Sequence, residues 1–215
     1  MRAVLWDLDG TLIDSAGDIA AAVDRMLVRT GRPPLGEAVI RGFIGEGARK
    51  LVDRCVEAAG SAPGEEDLRV FMDEYGRALV VQTRVYAGLR AVLEGVRGPM
   101  AIVTNKPEAF SRTIVDQLDL SRYFPVVLGG DTVVVGDVVV RKPDPAPLVE
   151  ALRRLGADEG VMVGDGPADV GAARAARMPM IGVGWGIAAP AGADRLVTTP
   201  EALVSALRDA GISFG

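Results

Sequence analysis

The sequence predicts an α/β fold in which helices cover both faces of a parallel sheet, with a second, all-helical unit inserted after the first strand. Short apolar runs that lack polar alternation are typical of strands buried on both faces, and they recur along most of the chain. Helix-like sequence separates these runs, as in a parallel sheet. The stretch from about residue 15 to residue 81 is different, because it holds three helical periodicities and no convincing strand.

The first predicted strand covers residues 3–6, and the others cover residues 100–104, 126–129, 160–163, 180–183 and 196–197. Intervening helices are predicted at residues 88–96, 107–118 and 145–155. Prolines at positions 107, 145 and 167 suit the first turn of a helix. The valine-rich residues 133–140 predict a small hairpin with a tight turn at Gly136 and Asp137.

The helical unit predicts a two-domain chain. We expect a catalytic core at residues 1–14 and 85–215 and a helical cap at residues 15–84. The two junctions should lie close together in space and act as a hinge.

Composition excludes several classes of protein. With 49% hydrophobic and 25% charged residues, the chain of 215 residues has the composition of a globular protein, and it holds no apolar run of membrane-spanning length. A net charge of −5 without a long basic run argues against nucleic acid or an anionic membrane as partner. Cys55 is the only cysteine and lies on an apolar helical face. Because no intramolecular disulfide can form, and the first strand leaves no room for a leader, we expect a cytoplasmic protein.

The chain contains no histidine. This excludes Ser-His-Asp and Cys-His catalysis, histidine-containing zinc sites and phosphohistidine chemistry. Acid and base catalysis must therefore fall to carboxylates or lysine.

Asp7 and Asp9 directly follow the first strand, and Gly10 then ends the apolar run. Residues i and i+2 of a strand point the same way, so both carboxylates should lie at the strand's C-terminal tip, where open α/β sheets bind ligands. One carboxylate could attack phosphorus while the other transfers protons. A helix N-cap or a turn is the structural alternative for this segment.

Three further polar clusters follow apolar runs, at residues 104–106 (Thr-Asn-Lys), 142–143 (Lys-Pro) and 165–169 (Asp-Gly-Pro-Ala-Asp). Singly, each could be a helix cap, a surface turn or an ordinary loop. Their order along the chain is the informative feature.

With these four segments the chain resembles the haloacid dehalogenase superfamily, whose ordered motifs are Asp-x-Asp-x-Thr, a Ser or Thr, a Lys and an acidic pair. Residues 41–50, 104–108 and 141–147 look like its phosphoglycolate phosphatase branch. The resemblance implies a Rossmann-like core with a helical cap. It also implies Mg²⁺-dependent hydrolysis of a small phosphorylated metabolite such as 2-phosphoglycolate.

The resemblance assigns the catalytic roles. Asp7 would be the nucleophile that forms an aspartyl-phosphate, and Asp9 the general acid and then the base. Lys142 would pair with Asp7. Mg²⁺ would bind Asp7, the Asp9 backbone carbonyl and Asp165, with Asp169 as their support.

Substrate-binding positions follow from the same resemblance: Thr104, Asn105, the backbone N–H groups of Leu8 and Asp9, Gly10 and Thr11. The carboxylates Asp7, Asp165 and Asp169 balance Mg²⁺ and Lys142, so we expect Asp9 to be protonated when a phosphate dianion binds.

Substrate choice should lie in the cap. Arg41, Arg49 or Lys50 could meet a substrate carboxylate, with Lys50 preferred, although a solvated helix face is the alternative for each. Trp185 either lines the cleft or covers the sheet edge.

Other functions of the same motifs stay open. A sugar phosphomutase resembling β-phosphoglucomutase uses the same two aspartates, and pyrophosphate or a nucleotide could be the substrate. A dehalogenase is disfavoured because that branch lacks the second aspartate. A receiver-like phospho-switch from another class is disfavoured by the helical insertion. The protein could be a monomer or a homodimer.

Overall fold

The computed structural model describes residues 1–215, and its strands follow the predicted apolar runs. The strands are β1 (Arg2–Trp6), β2 (Ile13–Asp14), β3 (Arg84–Val85), β4 (Val96–Arg97), β5 (Met100–Val103), β6 (Val126–Leu128), β7 (Val133–Val135), β8 (Val138–Val140), β9 (Glu159–Gly164), β10 (Met180–Val183), β11 (Arg195–Val197) and β12 (Ser213–Phe214). Six of them form the main sheet in the order β11-β10-β9-β1-β5-β6. All neighbours in this sheet are parallel.

Nine α-helices connect and cover these strands. They are α1 (Ala16–Arg29), α2 (Glu37–Ile40), α3 (Ala48–Ala58), α4 (Glu65–Gly76), α5 (Leu89–Gly95), α6 (Glu108–Gln117), α7 (Ala146–Leu155), α8 (Pro167–Ala175) and α9 (Pro200–Asp209). Short 3₁₀ helices lie at Arg41–Phe43, directly after α2, and at Ser121–Tyr123, after α6. None of the helices has the length and apolar character needed to cross a membrane.

Strand β1 shows how the core is divided between the two faces of the sheet. Successive side chains of a strand point to opposite faces, so Val4 and Trp6 join one apolar cluster, and Ala3 and Leu5 join the other. Helices α7 and α8 contribute to the smaller cluster, whereas α5, α6 and α9 contribute to the larger one. The predicted parallel sheet with helices on both faces is therefore confirmed.

Differences from the predicted elements are small. The valine-rich hairpin is present as β7 and β8, which pair with each other and with no other strand. Two-residue strands β2, β3, β4 and β12 were not predicted, and neither was the helix α9. The domain boundaries at residues 14–15 and 84–85 stay a prediction, although α1 to α4 do fill the interval between β2 and β3.

Asp18 ties together the two chain segments that connect the helical unit to the sheet. It lies in the first turn of α1 and is 3% exposed. Its carboxylate accepts hydrogen bonds from the backbone N–H groups of Val81, Gln82 and Thr83 at 2.8–3.0 Å, and from the Thr83 hydroxyl at 2.7 Å. Next to this contact β2 pairs with β3 in antiparallel fashion. Outgoing and returning chain are thus held side by side.

Replacing this carboxylate should destabilise the protein. Asp18→Ala leaves three backbone N–H groups without an acceptor, one of them the buried N–H of Thr83, so we expect the free energy of unfolding to fall by about 3 kcal/mol, measured by urea denaturation. Asp53→Ala is the matched control, since Asp53 makes only a half-exposed contact of 3.5 Å with Arg49 and should change stability by less than about 0.5 kcal/mol. Equal effects of the two substitutions would contradict the assigned role.

The stability difference between wild type and Asp18→Ala should also depend on pH. Burial opposes ionisation of Asp18, but hydrogen bonds from residues 81–83 outweigh it and lower its pKa below the ordinary value of 3.8. A carboxyl whose pKa is lower in the folded state stabilises that state above its unfolded pKa, and the stabilisation is lost as the pH falls through the folded pKa. We therefore expect the gap between wild type and Asp18→Ala to be full at pH 6 and to narrow below about pH 4.

Candidate active site

The polar clusters meet because their strands are neighbours at the centre of the sheet. Strand β1 lies between β9 and β5, and all three run in the same direction. Asp7 follows β1, Thr104 follows β5 and Asp165 follows β9. Residues separated by up to 158 positions along the chain therefore share the C-terminal edge of one sheet, as the sequence predicted.

Three carboxylates crowd together at this edge. One oxygen each of Asp7, Asp165 and Asp169 lies within 4.8 Å of the others. Burial, together with the charge of Asp169, raises the pKa of Asp7 to about 6. Burial and the charge of Asp7 do the same for Asp165, whose pKa is also about 6. The cluster is therefore short of positive charge.

A divalent cation fits this donor set. Carboxylate oxygens are the hard ligands that Mg²⁺ and Ca²⁺ prefer, and a cation among them would relieve the repulsion that adds to burial in raising the two pKa values. Asp7 and Asp165, both predicted as ligands, are in place for this role. Asp169, predicted only as their support, also has an oxygen within reach.

The loop around Asp165 is built to hold its carboxylate. The N–H groups of Ile187 and Ala188 donate to Oδ2 at 2.7 and 3.0 Å, and the Thr11 hydroxyl donates to Oδ1 at 3.2 Å. Gly10 has a φ of +79°, and a Cβ there would lie 2.2 Å from an Asp165 oxygen. Only glycine fits so close to this side chain.

These contacts involve Thr11 and Gly10, two residues that are predicted to bind substrate. Thr11 is fully buried and its hydroxyl is directed to Asp165, and Gly10 packs against the same carboxylate. Both residues position a candidate metal ligand, and neither lines the cavity described below.

Lys142 is the buried counter-charge of the acidic cluster. Its Nζ lies 2.9 Å from Oδ1 of Asp7 and 2.6 Å from Oδ1 of Asp169, and the residue is 3% exposed. Burial disfavours the ammonium form, but the charges of Asp169 and Asp7 outweigh it and raise the pKa of Lys142 to about 12. Lys142 is therefore a cation beside the predicted nucleophile Asp7.

Lys106 is a second buried cation, which the sequence analysis placed in a polar cluster without giving it a role. Its Nζ lies 2.9 Å from each carboxylate oxygen of Asp9, and Asp9 also accepts a hydrogen bond of 2.5 Å from the Ser15 hydroxyl. Burial lowers the pKa of Lys106, but the charge of Asp9 outweighs this effect and raises the pKa above its ordinary value. The predicted charge count omitted this lysine. With it included, the four carboxylates, Mg²⁺ and the two lysines sum to zero while Asp9 is ionised, so a bound phosphate dianion still leaves excess negative charge, which a proton on Asp9 reduces.

A cavity of about 50 Å³ opens above Asp7 and Asp9. That volume holds a few water molecules or one compact ligand. On the sheet side it is lined by residues 104–107 together with the two aspartates. Its other walls come mainly from the helical unit, and the large side chains there are Ile19, Ile44, Leu51, Phe71, Met72 and Tyr75, joined by Phe110 of α6.

Several groups are free to bind a phosphoryl oxygen in this cavity. The N–H groups of Leu8 and Asp9 donate to no other backbone group. The Thr104 oxygen accepts from the Lys106 N–H at 3.3 Å, which leaves its own O–H available. Asn105 differs from expectation, because its Nδ2 donates to the carbonyls of Gly45 (3.2 Å) and Lys142 (2.9 Å). This amide joins the helical unit to the sheet edge.

The predicted cap cations do not line this cavity. Lys50 binds Glu46 at 2.7 Å, Arg49 contacts Glu65, and Arg41 lies 3.7 Å from Asp14. These contacts match the solvated helix face considered as the alternative. A cavity of about 140 Å³ beside Asp165 does include a cap cation, Arg54, whose Nη2 donates to Glu46 at 2.5 Å.

Two remaining sequence questions are also answered. Trp185 donates from Nε1 to the Thr11 carbonyl at 3.2 Å and is absent from both cavity walls, so it covers the loop after β1. Cys55 is buried, and burial raises the pKa of its thiol to about 12. It is an unreactive core residue.

Comparison with known proteins identifies the family. Residues 1–177 match the family model described as haloacid dehalogenase-like hydrolase. A phosphoglycolate phosphatase of Cupriavidus necator, plasmid-encoded, is 41% identical over 98% of this chain and 95% of its own length. The phosphoglycolate phosphatase of Pseudomonas putida is 40% identical over 86% of this chain and 70% of its own length.

Solved structures show the same fold. A predicted phosphoglycolate phosphatase from Haemophilus somnus 129PT superposes with a TM-score of 0.84 at 24% identity, covering 96% of this chain and 98% of that one. A Thermotoga maritima protein provisionally assigned as a β-phosphoglucomutase has a TM-score of 0.72 at 28% identity, covering 97% and 99%.

Filling the acidic cluster with a divalent cation should stabilise the protein. We expect Mg²⁺ at a hundredfold excess over its dissociation constant to raise the melting temperature by about 5–10 °C relative to EDTA, because binding at that excess adds about 2.7 kcal/mol. Asp165→Asn should remove most of this shift in differential scanning fluorimetry. Asp137→Asn, at the tip of the valine-rich hairpin, is the control and should keep it. An undiminished shift in Asp165→Asn would place the metal elsewhere.

Proposed function

The chain belongs to the haloacid dehalogenase-like hydrolases, and we propose that it is a Mg²⁺-dependent phosphatase that hydrolyses 2-phosphoglycolate through an aspartyl-phosphate on Asp7. The observation that carries this proposal is the position of Asp7. Its carboxylate lies 2.9 Å from the Lys142 ammonium, within 4.8 Å of oxygens of Asp165 and Asp169, and in the wall of a compact cavity. Relatives named phosphoglycolate phosphatase support the choice of substrate.

In the first half of the proposed reaction, an Asp7 oxygen attacks phosphorus and the ester oxygen leaves. Asp9 donates a proton to that leaving oxygen, which departs as an alcohol. The free N–H groups of Leu8 and Asp9 and the Thr104 hydroxyl donate to the phosphoryl oxygens, where negative charge is greatest. Lys142 holds Asp7 in place and offsets the charge that gathers there.

In the second half, Asp9 accepts a proton from water, and that water attacks the phosphorus of the aspartyl-phosphate. The P–O bond to Asp7 breaks, which releases phosphate and restores the carboxylate. Mg²⁺ would be held by Asp7, Asp165 and the Asp9 carbonyl, with Asp169 beside them, and it supplies charge neutralisation for the phosphoryl group.

The cavity favours a compact substrate over a sugar phosphate. Its cap walls are almost entirely apolar, and the one hydroxyl they carry is that of Tyr75. The several hydroxyls of a sugar would lose their hydrogen bonds to water without replacement, which costs about 1–3 kcal/mol for each buried group. This argues against the phosphomutase alternative, despite the structural likeness to the Thermotoga protein.

We also propose that residues 15–84 form the cap domain, that the protein acts in the cytoplasm, and that it functions as a monomer or a homodimer without nucleic acid or a membrane as partner. The assignment of the cap domain is supported by Asp18, which binds the backbone of Val81 and Thr83 and so holds the two connecting segments together.

A panel of phosphate esters tests the substrate. We expect kcat/KM for 2-phosphoglycolate to exceed that for glucose 6-phosphate, a nucleoside monophosphate and pyrophosphate by at least about tenfold. Activity should require Mg²⁺ and vanish in Asp7→Asn. A higher kcat/KM for another ester in the panel would support phosphatase activity but reject 2-phosphoglycolate as the substrate. Conversion of β-glucose 1-phosphate to glucose 6-phosphate without phosphate release would instead identify a mutase.

Asp9→Asn tests the proton-transfer role. The substitution keeps the size of the side chain but removes its ability to shuttle protons, so turnover should fall by about 10²–10⁴-fold while the protein remains folded by circular dichroism. Asp14→Asn, half exposed on β2, is the matched control and should remain active. Turnover near that of the wild type in Asp9→Asn would remove this residue from the mechanism.

A further inference from the structure

Tyr75 carries an unused hydrogen-bond donor beside the candidate active site. The residue lies on α4, is 2% exposed and lines the cavity above Asp7 and Asp9. Its hydroxyl is buried, and its O–H has no acceptor in the protein. Buried polar groups are almost always paired, so an unpaired one at a cavity indicates a missing ligand atom.

Lys106 approaches the same place from the sheet side. Its Nζ lies 4.7 Å from the centre of the Tyr75 ring, and the side chain is 4% exposed. An ammonium group has three N–H donors. Two contacts of 2.9 Å with Asp9 account for two of them, and the third is directed toward the Tyr75 side chain at the cavity. Lys106 is also the only cation among the residues that line this cavity.

We infer that the Tyr75 hydroxyl and the Lys106 ammonium form a subsite for a second anionic group of the substrate, a carboxylate on the leaving-group side. This inference rests on the proposed function, since it assigns the residues that recognise the part of the substrate that is not phosphate. The two donors come from opposite sides of the cavity, α4 and the segment after β5.

The surroundings make this pair selective for an anion. Most other cap residues of the cavity are apolar, among them Ile44, Phe71 and Met72, and hydrogen bonds to charged groups are stronger in such a medium. The carboxylate of Asp9 would share the ammonium with the bound anion, which offsets the repulsion between the two. The cap cations at the surface are already paired with carboxylates and lie outside this cavity.

The test compares Tyr75→Phe with wild type on two esters of similar size, 2-phosphoglycolate and ethyl phosphate, which lacks the carboxylate. Because only the hydroxyl is removed, kcat/KM for 2-phosphoglycolate should fall about tenfold or more, mainly through KM, as expected for one lost hydrogen bond to a charged group. The value for ethyl phosphate should stay within about twofold.

Tyr86→Phe is the matched control. Tyr86 is the other tyrosine whose buried hydroxyl has no hydrogen-bond partner. The centre of its ring lies 6.4 Å from that of Trp185, and the residue does not line the cavity. Tyr86→Phe should leave kcat/KM unchanged for both 2-phosphoglycolate and ethyl phosphate. Melting temperatures of all three proteins, measured in the same buffer, verify that each is folded.

The possible outcomes separate this inference from the proposed function. A wild-type enzyme that prefers 2-phosphoglycolate, combined with a Tyr75→Phe variant that keeps the preference, would overturn the subsite and leave the proposed function intact. An equal loss on both esters would overturn it as well, because the hydroxyl would then act on the shared phosphoryl chemistry. A wild type without preference for 2-phosphoglycolate would reject the proposed substrate itself, and the subsite with it.

Discussion

The balance of charge at the C-terminal edge of the sheet is the constraint on which the rest of the structure depends. Four aspartates meet there, and two buried lysines oppose them: Lys142 against Asp7 and Asp169, and Lys106 against Asp9. Buried charges are tolerated only when they are paired and hydrogen-bonded. Burial raises the pKa values of Asp7 and Asp165, and the excess of carboxylates that two lysines leave raises them further. A divalent cation would complete the balance, because two lysines and two metal charges would then oppose four carboxylates.

The fold serves this balance through backbone geometry. Parallel neighbours β9, β1 and β5 deliver their loops to one edge, and glycine permits the loops to touch. At Gly10 and Gly186 an added Cβ would lie 2.2 and 2.4 Å from atoms of Asp165, so any larger residue would push that carboxylate away from Asp7. The Asn105 amide then links this edge to the helical unit through Gly45. The same amide donates to the carbonyl of Lys142, so one side chain contacts both the helical unit and the segment that carries the buried lysine.

The sequence was most informative where chemistry depends on neighbours in the chain. The spacing of Asp7 and Asp9 after an apolar run, and the unalternating strands, predicted that both carboxylates lie at the C-terminal edge of a parallel sheet. The sequence was least informative where a side chain contacts a residue that is far away along the chain. Lys106 contacts Asp9 across 97 positions, and nothing in its local pattern distinguishes it from a helix-capping segment. For the same reason Thr11 was expected to bind substrate, whereas its hydroxyl supports Asp165. Strands of two residues, such as β2 and β3, are too short to produce a periodic signal.

These features suggest a division of labour between the two sides of the cavity. The sheet side supplies every group that can act on a phosphoryl group, and the cap side is apolar except at Tyr75. A cap of this kind cannot select a substrate by many hydrogen bonds, so selection must come from size and from one charge. A small cavity excludes bulky leaving groups, and the Lys106 ammonium, held between Asp9 and the Tyr75 ring, favours one that is anionic. A leaving group that is both compact and negatively charged satisfies the two conditions at once, and glycolate has both properties.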